Sequence, residues 1–136
     1  MPAPELRPLP SRRVVATSAA LDAARWRGAS AVLRLAPDEA LGVGATAVAV
    51  DDPAAIDLPE AAFAGAWLSA DEVAALVVPH LEWPLPAAGP ALAQGKVAGV
   101  PAKLWFPPAG DPRGAALLVT HAALAHELAD RLGLAR

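Results

Sequence analysis

The stretch Ala66–Gly133, which decides the fold, begins with the residues AWLSADEVAALVVP. Its most specific local signal is a capping box, in which the Ser69 hydroxyl accepts from the Glu72 amide and the Glu72 carboxylate accepts from the Ser69 amide. This cap predicts a short apolar helix over 70–78. Pro79 is expected to end that helix, because proline disfavours helical backbone at the residue before it.

The remainder of the stretch predicts a hairpin, a strand and a closing helix. Two strand-like runs, Ala91–Val97 and Val100–Phe106, are separated by an alanine and a glycine, which is typical of a tight hairpin turn. Ala115–Val119 predicts a further strand. Thr120 is expected to cap the last helix, whose leucines recur every four residues and indicate one buried face.

The first half of the chain predicts a short strand, a brief helix and two antiparallel strands, in the order Arg13–Thr17, 18–26, Ala31–Leu35 and Leu41–Val50. Strands and helices are mixed without a strict β-α-β alternation. The predicted fold class is therefore α+β, a mostly antiparallel sheet with two or three short helices on one face. Residues 1–12 are rich in proline and predict a flexible tail, and residues 13–136 predict a single α+β domain.

Composition excludes several classes of function. The net charge is −3, only two of the 11 basic residues are lysines, and no basic stripe with interleaved aromatic residues occurs, so nucleic-acid binding is not expected. Cysteine is absent, which excludes thiol chemistry and thiolate metal sites. No apolar run is long enough for a membrane span and the first residues lack the apolar core of a signal peptide. The expectation is a cytoplasmic protein that does not associate with membranes.

Two motifs resemble catalytic or cofactor-binding signatures. The segment Gly42–Ala47 matches the G-x-G-x-x-A form of a dinucleotide fingerprint, but that motif needs a helix after it, and the residues after Gly44 predict a strand. His126 and Glu127 begin a sequence like H-E-x-x-H in which aspartate replaces the second histidine, and His121 lies five residues earlier. No catalytic residue, metal site or cofactor is predicted, and a small hydrolase or lyase that uses His121, His126 and Glu127 remains an alternative.

Tryptophan and lysine provide the candidate binding residues. The chain has four tryptophans although its aromatic content is only 4%, and its two lysines both fall on the predicted hairpin. Alternation along a strand could present Gln94 and Lys96, together with Trp83, on one side as a face for an anionic or aromatic group. The alternative is that the lysines are solvated and protect a hairpin edge from aggregation. The candidate binding residues are Trp67, Trp83, Gln94, Lys96, Lys103 and Trp105.

Three segments, in order along the chain, resemble the small gamma subunit of heterotetrameric sarcosine oxidase. They are Leu33–Leu41 (LRLAPDEAL), Ala66–Ser69 with the helix 70–78, and Ala98–Trp105 (AGVPAKLW) followed by Leu117–Val119 and a helix that ends in LADRL. That family is related to the folate-binding aminomethyltransferase fold of glycine cleavage T-protein. The resemblance implies an α+β module that sits in a larger complex and is not the flavin-bearing subunit. No folate-contacting residue is carried over.

The sequence leaves three hypotheses. The first is a non-catalytic accessory or interaction domain, either a small subunit of an oxidoreductase complex of sarcosine-oxidase type or a self-associating homodimer, with tryptophans as anchors. The second is a stand-alone protein that binds a small folate-like or anionic ligand through Lys96, Lys103 and Trp105. The third is the hydrolase or lyase described above, which requires its two histidines to converge on one cleft.

Overall fold

The computed structural model describes residues 3–135 and places them in two compact units. The N-terminal unit comprises Leu9–Ala61, and the C-terminal unit comprises residues 3–8 and 62–135. The strands are β1 Arg7–Pro8, β2 Ser11–Val15, β3 Arg25–Arg27, β4 Ala31–Ala36, β5 Glu39–Val43, β6 Ala47–Ala49, β7 Ile56–Glu60, β8 Phe63–Leu68, β9 Ala91–Val97, β10 Val100–Phe106 and β11 Ala116–His121. The α-helices are α1 Ser18–Asp22, α2 Ala70–Glu72 and α3 Ala125–Leu132. The predicted α+β class is confirmed, and its strands are distributed over three antiparallel sheets.

The N-terminal unit is a four-stranded antiparallel sheet in the order β4-β5-β2-β7, with helix α1 and a two-stranded ribbon of β3 and β6. Val14 and Ala40, which are opposite each other on neighbouring strands, pack with Ala20 and Leu21 of α1 in a buried core. Trp26 of the ribbon is half-buried against this core. It lies over Gly42, where an added Cβ would come within 2.4 Å of the indole ring.

Three predictions for this unit are wrong in their extent. The strand predicted over Arg13–Thr17 is β2, Ser11–Val15. Thr17 caps α1, but the helix predicted over 18–26 ends at Asp22, and Trp26 lies in strand β3 because the ribbon places its ring over Gly42. The predicted strand Leu41–Val50 is interrupted at Gly44, whose φ of 76° is a conformation that glycine adopts without steric cost. The chain therefore turns there and continues as β6 in a different sheet.

The C-terminal unit is a five-stranded antiparallel sheet in the order β1-β8-β11-β10-β9. Side chains of alternate residues form a buried core on one face of this sheet, with Leu118 of the central strand opposite both Leu104 and Ala66. Val77 and Leu128, from the two helical segments, pack against the same face. The helices thus lie on one face of this sheet, as predicted. The opposite face carries the remaining side chains of the strands, and Leu117 and Val119 at its centre are also buried.

The helical segment after β8 begins as predicted and continues differently. The Ser69–Glu72 capping box is present in both directions, with distances of 3.1 and 2.8 Å. After α2 the backbone forms a π-helical turn, Val73–Val77, and then a 3₁₀ turn, Val78–His80. Pro79 therefore does not end the helical backbone at Val78, because it lies in the first turn of the 3₁₀ segment, where its missing N–H removes no hydrogen bond.

The prediction that Thr120 caps the last helix is wrong. Thr120 lies inside β11 and is 2% exposed, and its hydroxyl donates to the carbonyl oxygen of Pro101 at 2.9 Å. A 3₁₀ turn, Ala122–Leu124, separates the strand from α3, which begins without a side-chain cap. Gly133, in a left-handed conformation, ends α3.

The termini of the described chain are paired. β1 pairs with β8, and the amide of Ala135 donates to the carbonyl oxygen of Pro4 at 2.9 Å. The predicted tail boundary at residue 12 falls inside β2. The single domain over 13–136 stays a prediction. Within residues 3–135, none of the helices has the length and apolar character needed to span a membrane.

Candidate functional site

Most of the predicted binding residues share the face of the five-stranded sheet that lies opposite the helices. In the antiparallel register Gln94 is the partner of Lys103, and Trp105 is the partner of Leu117, which in turn is the partner of Trp67. Directly opposed residues point to the same face, and so do residues two positions apart. Gln94, Lys96, Lys103, Trp105 and Trp67 therefore form one group, which we call the polar–aromatic face.

Trp83 is the exception. Its half-buried indole lies over Gly95, where an added Cβ would be 3.0 Å from Nε1. The ring packs against the buried core on the face of the sheet that carries the helices. Its Nε1–H donates to the carbonyl oxygen of Lys96 at 3.2 Å. Since Gly95 alternates with Gln94 and Lys96 along β9, Trp83 lies on the other side of the sheet from their side chains. It covers part of the outer edge of β9, which is an edge strand.

The aromatic part of the face is a cluster of Trp67, Trp105 and Arg113. The two indole rings meet edge to face, with centroids 6.0 Å apart and planes at 80°. The Arg113 guanidinium lies 5.3 Å from the centre of the Trp67 ring, close enough for a cation–π interaction. Arg113 also donates to both carboxylate oxygens of Asp111, at 3.1 and 3.0 Å. These hydrogen bonds hold the pKa of Asp111 below its ordinary value.

The polar part of the face borders a cleft of about 220 Å³. The Lys103 ammonium donates to Gln94 Oε1 at 3.1 Å and lies 5.8 Å from the centre of the Phe63 ring. Phe63 in turn stacks on His121, with ring centroids 4.9 Å apart. The polar or charged residues among its lining are Gln94, Lys103, Thr120 and His121, and no carboxylate is among them.

Sequence reasoning did not connect Phe63 and His121 with the lysine. They are 58 positions apart and meet only because β8 and β11 pair in the register that sets them opposite each other. The prediction that Thr120 caps the last helix placed His121 at a helix start rather than at a strand end. Arg113 was also missed, because it lies in the loop before β11 and its stacking on Trp67 depends on a non-local contact.

The residues of the predicted hydrolase are separated. His121 borders the 220 Å³ cleft, whereas His126 lines a different cleft, of about 200 Å³, with residues such as Ala64 and Ala129. Glu127 forms an ion pair with Arg131, which also donates to the carbonyl oxygen of Ala98. In residues 3–135 the structure contains no group of three histidine, aspartate or glutamate side chains arranged to hold a metal ion.

The segment with the dinucleotide-like spacing has no helix after it. Gly42 lies in β5, Gly44 turns the chain, and Ala47 begins strand β6. The site therefore lacks the helix N-terminus that would receive a pyrophosphate. Gly42 instead leaves room for the Trp26 ring, and Gly44 allows the chain to turn.

Lys96 and Trp105 lie away from the 220 Å³ cleft, since neither is among its lining residues. Lys96 lines another cleft, of about 670 Å³, with His80 and Trp83. The polar–aromatic face thus has a cleft at its Lys103 end and an aromatic cluster at its Trp105 end.

Comparison of the chain with protein-family models, with curated proteins and with solved structures gives no match.

Proposed function

We propose that this chain is a non-catalytic accessory module, a small subunit of an oxidoreductase complex of sarcosine-oxidase type, which binds its partner through the aromatic end of the polar–aromatic face. The observation that carries the proposal is the state of the tryptophans. All four are half-buried and none is fully buried, in a chain with only 4% aromatic residues. Large aromatic side chains that keep part of their surface accessible are typical anchors of protein interfaces.

The cluster of Trp67, Trp105 and Arg113 supports this assignment by its chemistry. Tryptophan and arginine are the residue types that are most enriched among side chains with large effects on binding. The two rings fix each other edge to face, and Asp111 fixes the guanidinium, so a partner would order few side chains on binding. Pre-organised side chains lose less conformational entropy in a complex, which favours affinity.

The proposal is tested with surface variants in the native cells. The tagged chain and its Arg113→Glu variant are purified, and the flavoprotein subunits recovered with each are quantified. Arg113→Glu should reduce recovery about tenfold, because it replaces the cation on Trp67 by a carboxylate next to Asp111. Arg7→Glu, an equal charge change at an exposed arginine of the same unit, should leave recovery unchanged. Equal recovery with both variants would contradict the assignment of this surface.

The second candidate function is a stand-alone protein that binds a small folate-like or anionic ligand, and the 220 Å³ cleft favours it. The Lys103 ammonium brings a positive charge to this cleft, and no carboxylate lines it. Phe63 and His121 form an aromatic wall, and Gln94 supplies a side-chain amide. Apolar walls with a few placed polar groups are typical of small-molecule sites.

Calorimetric titration with 5-formyltetrahydrofolate tests this candidate. We expect binding in the millimolar range or tighter, weakened about fivefold by Lys103→Met, because a charge-assisted contact with the ligand anion is lost. Lys96→Met is the matched control and should bind like the wild type, since Lys96 lies outside the cleft. Absence of heat at millimolar ligand, or equal weakening by the two variants, would remove this candidate.

A further inference from the structure

Two arginines of the N-terminal unit differ from the others in their ion pairing. Among the eight arginines in residues 3–135, Arg25 and Arg27 form no ion pair with a described residue. Each of the other six has a carboxylate partner, in the pairs Arg7–Glu5, Arg12–Asp57, Arg13–Glu39, Arg34–Asp22, Arg113–Asp111 and Arg131–Glu127. The fold thus neutralises its arginines locally, except at these two neighbouring positions.

Strand geometry places the two guanidinium groups on one side of the ribbon. Arg25 and Arg27 are two positions apart in β3, so their side chains point away from Trp26 and lie about 7 Å apart at the backbone. Both residues are exposed. Their cross-strand partners are Ala49 and Ala47, whose small side chains leave the guanidinium groups uncovered.

The backbone that carries these arginines is held in place. Trp26 between them packs over Gly42 of the sheet, at a distance that leaves no room for a Cβ. The amide of Thr46 donates to the carbonyl oxygen of Arg27 at 2.8 Å and closes the ribbon. The spacing of the two charges is therefore set by the fold, which lowers the ordering cost of a ligand that matches it.

The acidic groups near the ribbon do not neutralise the charge of these two arginines by ion pairing. Asp51 lines a neighbouring cleft with Arg25, but no ion pair forms between them. The carboxylate of Asp52 accepts hydrogen bonds from the amides of Thr17 and Ala54 instead. Since neither aspartate forms an ion pair with Arg25 or Arg27, the ribbon carries a local positive charge on a chain whose net charge is −3.

We propose that Arg25 and Arg27 bind an acidic segment of a partner protein in extended conformation, with carboxylates two residues apart. An extended segment repeats its side chains on one face every two residues, which matches the spacing of the arginines. Both arginines also line a cleft of about 390 Å³ that runs along the ribbon, and an extended acidic segment lying in it can reach both guanidinium groups. This inference rests on the proposed function, because it names the chemical character of the segment by which the partner protein would bind.

The test uses the full chain and a short labelled peptide in which glutamate alternates with threonine. Fluorescence anisotropy at low ionic strength should detect binding that weakens at about 0.15 M salt. Arg25→Glu with Arg27→Glu should weaken binding about tenfold, and the gentler pair Arg25→Gln with Arg27→Gln should weaken it by less, because two exposed ion pairs are lost without new repulsion. Arg7→Glu should change binding less than about twofold, and circular dichroism should be the same for all variants.

Several results would overturn the proposal. One is equal weakening by Arg7→Glu, which would show only general electrostatic attraction. Others are the absence of binding at low ionic strength, equal affinity for a peptide of the same composition with its glutamates in one block, and tighter binding of a labelled oligonucleotide. If the peptide fails while flavoprotein subunits are still recovered with the chain, this inference falls and the proposed function stands. If the peptide binds as described and no partner is recovered, the proposed function falls.

Discussion

Replacing Leu118 by alanine is expected to lower the free energy of unfolding of the C-terminal unit by about 3 kcal/mol, within the range for leucines that are deleted from cores. Leu118 lies in the central strand of the five-stranded sheet and is 0% exposed. One of its cross-strand neighbours is Ala66, which is too small to fill the space that the substitution leaves. The loss is a large part of the total stability of a domain of this size.

The matched control for Leu118→Ala is Ile56→Ala. The two substitutions remove the same number of carbon atoms, but Ile56 is 54% exposed, and we expect its replacement to change the free energy of unfolding by no more than about 0.5 kcal/mol. Urea unfolding followed by circular dichroism measures both. Equal losses in the two variants would contradict the assignment of Leu118 to the core.

Gly42→Ala is expected to destabilise the N-terminal unit by about 2–3 kcal/mol through a single contact. The φ angle of Gly42 is not in the left-handed region, so alanine meets no backbone strain there and would even gain up to about 1 kcal/mol from reduced freedom of the unfolded chain. The added Cβ, however, would lie 2.4 Å from two atoms of the Trp26 ring. The ring must move away from the sheet, and the apolar contact that holds the ribbon is lost.

A double-mutant cycle isolates this contact. In a Trp26→Leu background, Gly42→Ala should cost little or become slightly stabilising, because the ring that the new methyl group meets has been removed. Unfolding in urea of the wild type, both single variants and the double variant gives the coupling energy. Additive effects of the two substitutions would show that the indole does not set the requirement for glycine.

The elements that the sequence located to the residue are those with local signals. The ends of β9 and β10 at their hairpin are set by the two-residue turn. The capping box forms both of its hydrogen bonds within four consecutive residues. Each of these depends on residues within a few positions of one another, so a single sequence contains the information.

The errors arise where a non-local contact overrides a local preference. Thr120 has the chemistry of a cap, but the pairing of β11 continues through it and its hydroxyl bonds to Pro101. Trp26 continues the helical pattern of α1, but burial of its ring over Gly42 draws it into a strand. In both cases the residue that makes the overriding contact is distant in sequence, so local helix propensity alone predicts the wrong element.

The candidate site was likewise predictable only where it depends on residues close in sequence. Alternation correctly grouped Gln94 with Lys96, and the hairpin register adds Lys103 to them. The contribution of Phe63 and His121, and the placement of Trp83 on the other side of the sheet, depend on strand order and on the packing of a loop. Those features become available only when the sheet has been assembled.

The native mass and subunit composition of the tagged chain, purified from its own cells at natural abundance, test the central claim most directly. A small accessory subunit is expected to be recovered in a stoichiometric complex with flavoprotein oxidoreductase subunits, at a mass well above that of the chain. Recovery of the chain alone, as a monomer or a self-dimer, would contradict the accessory role.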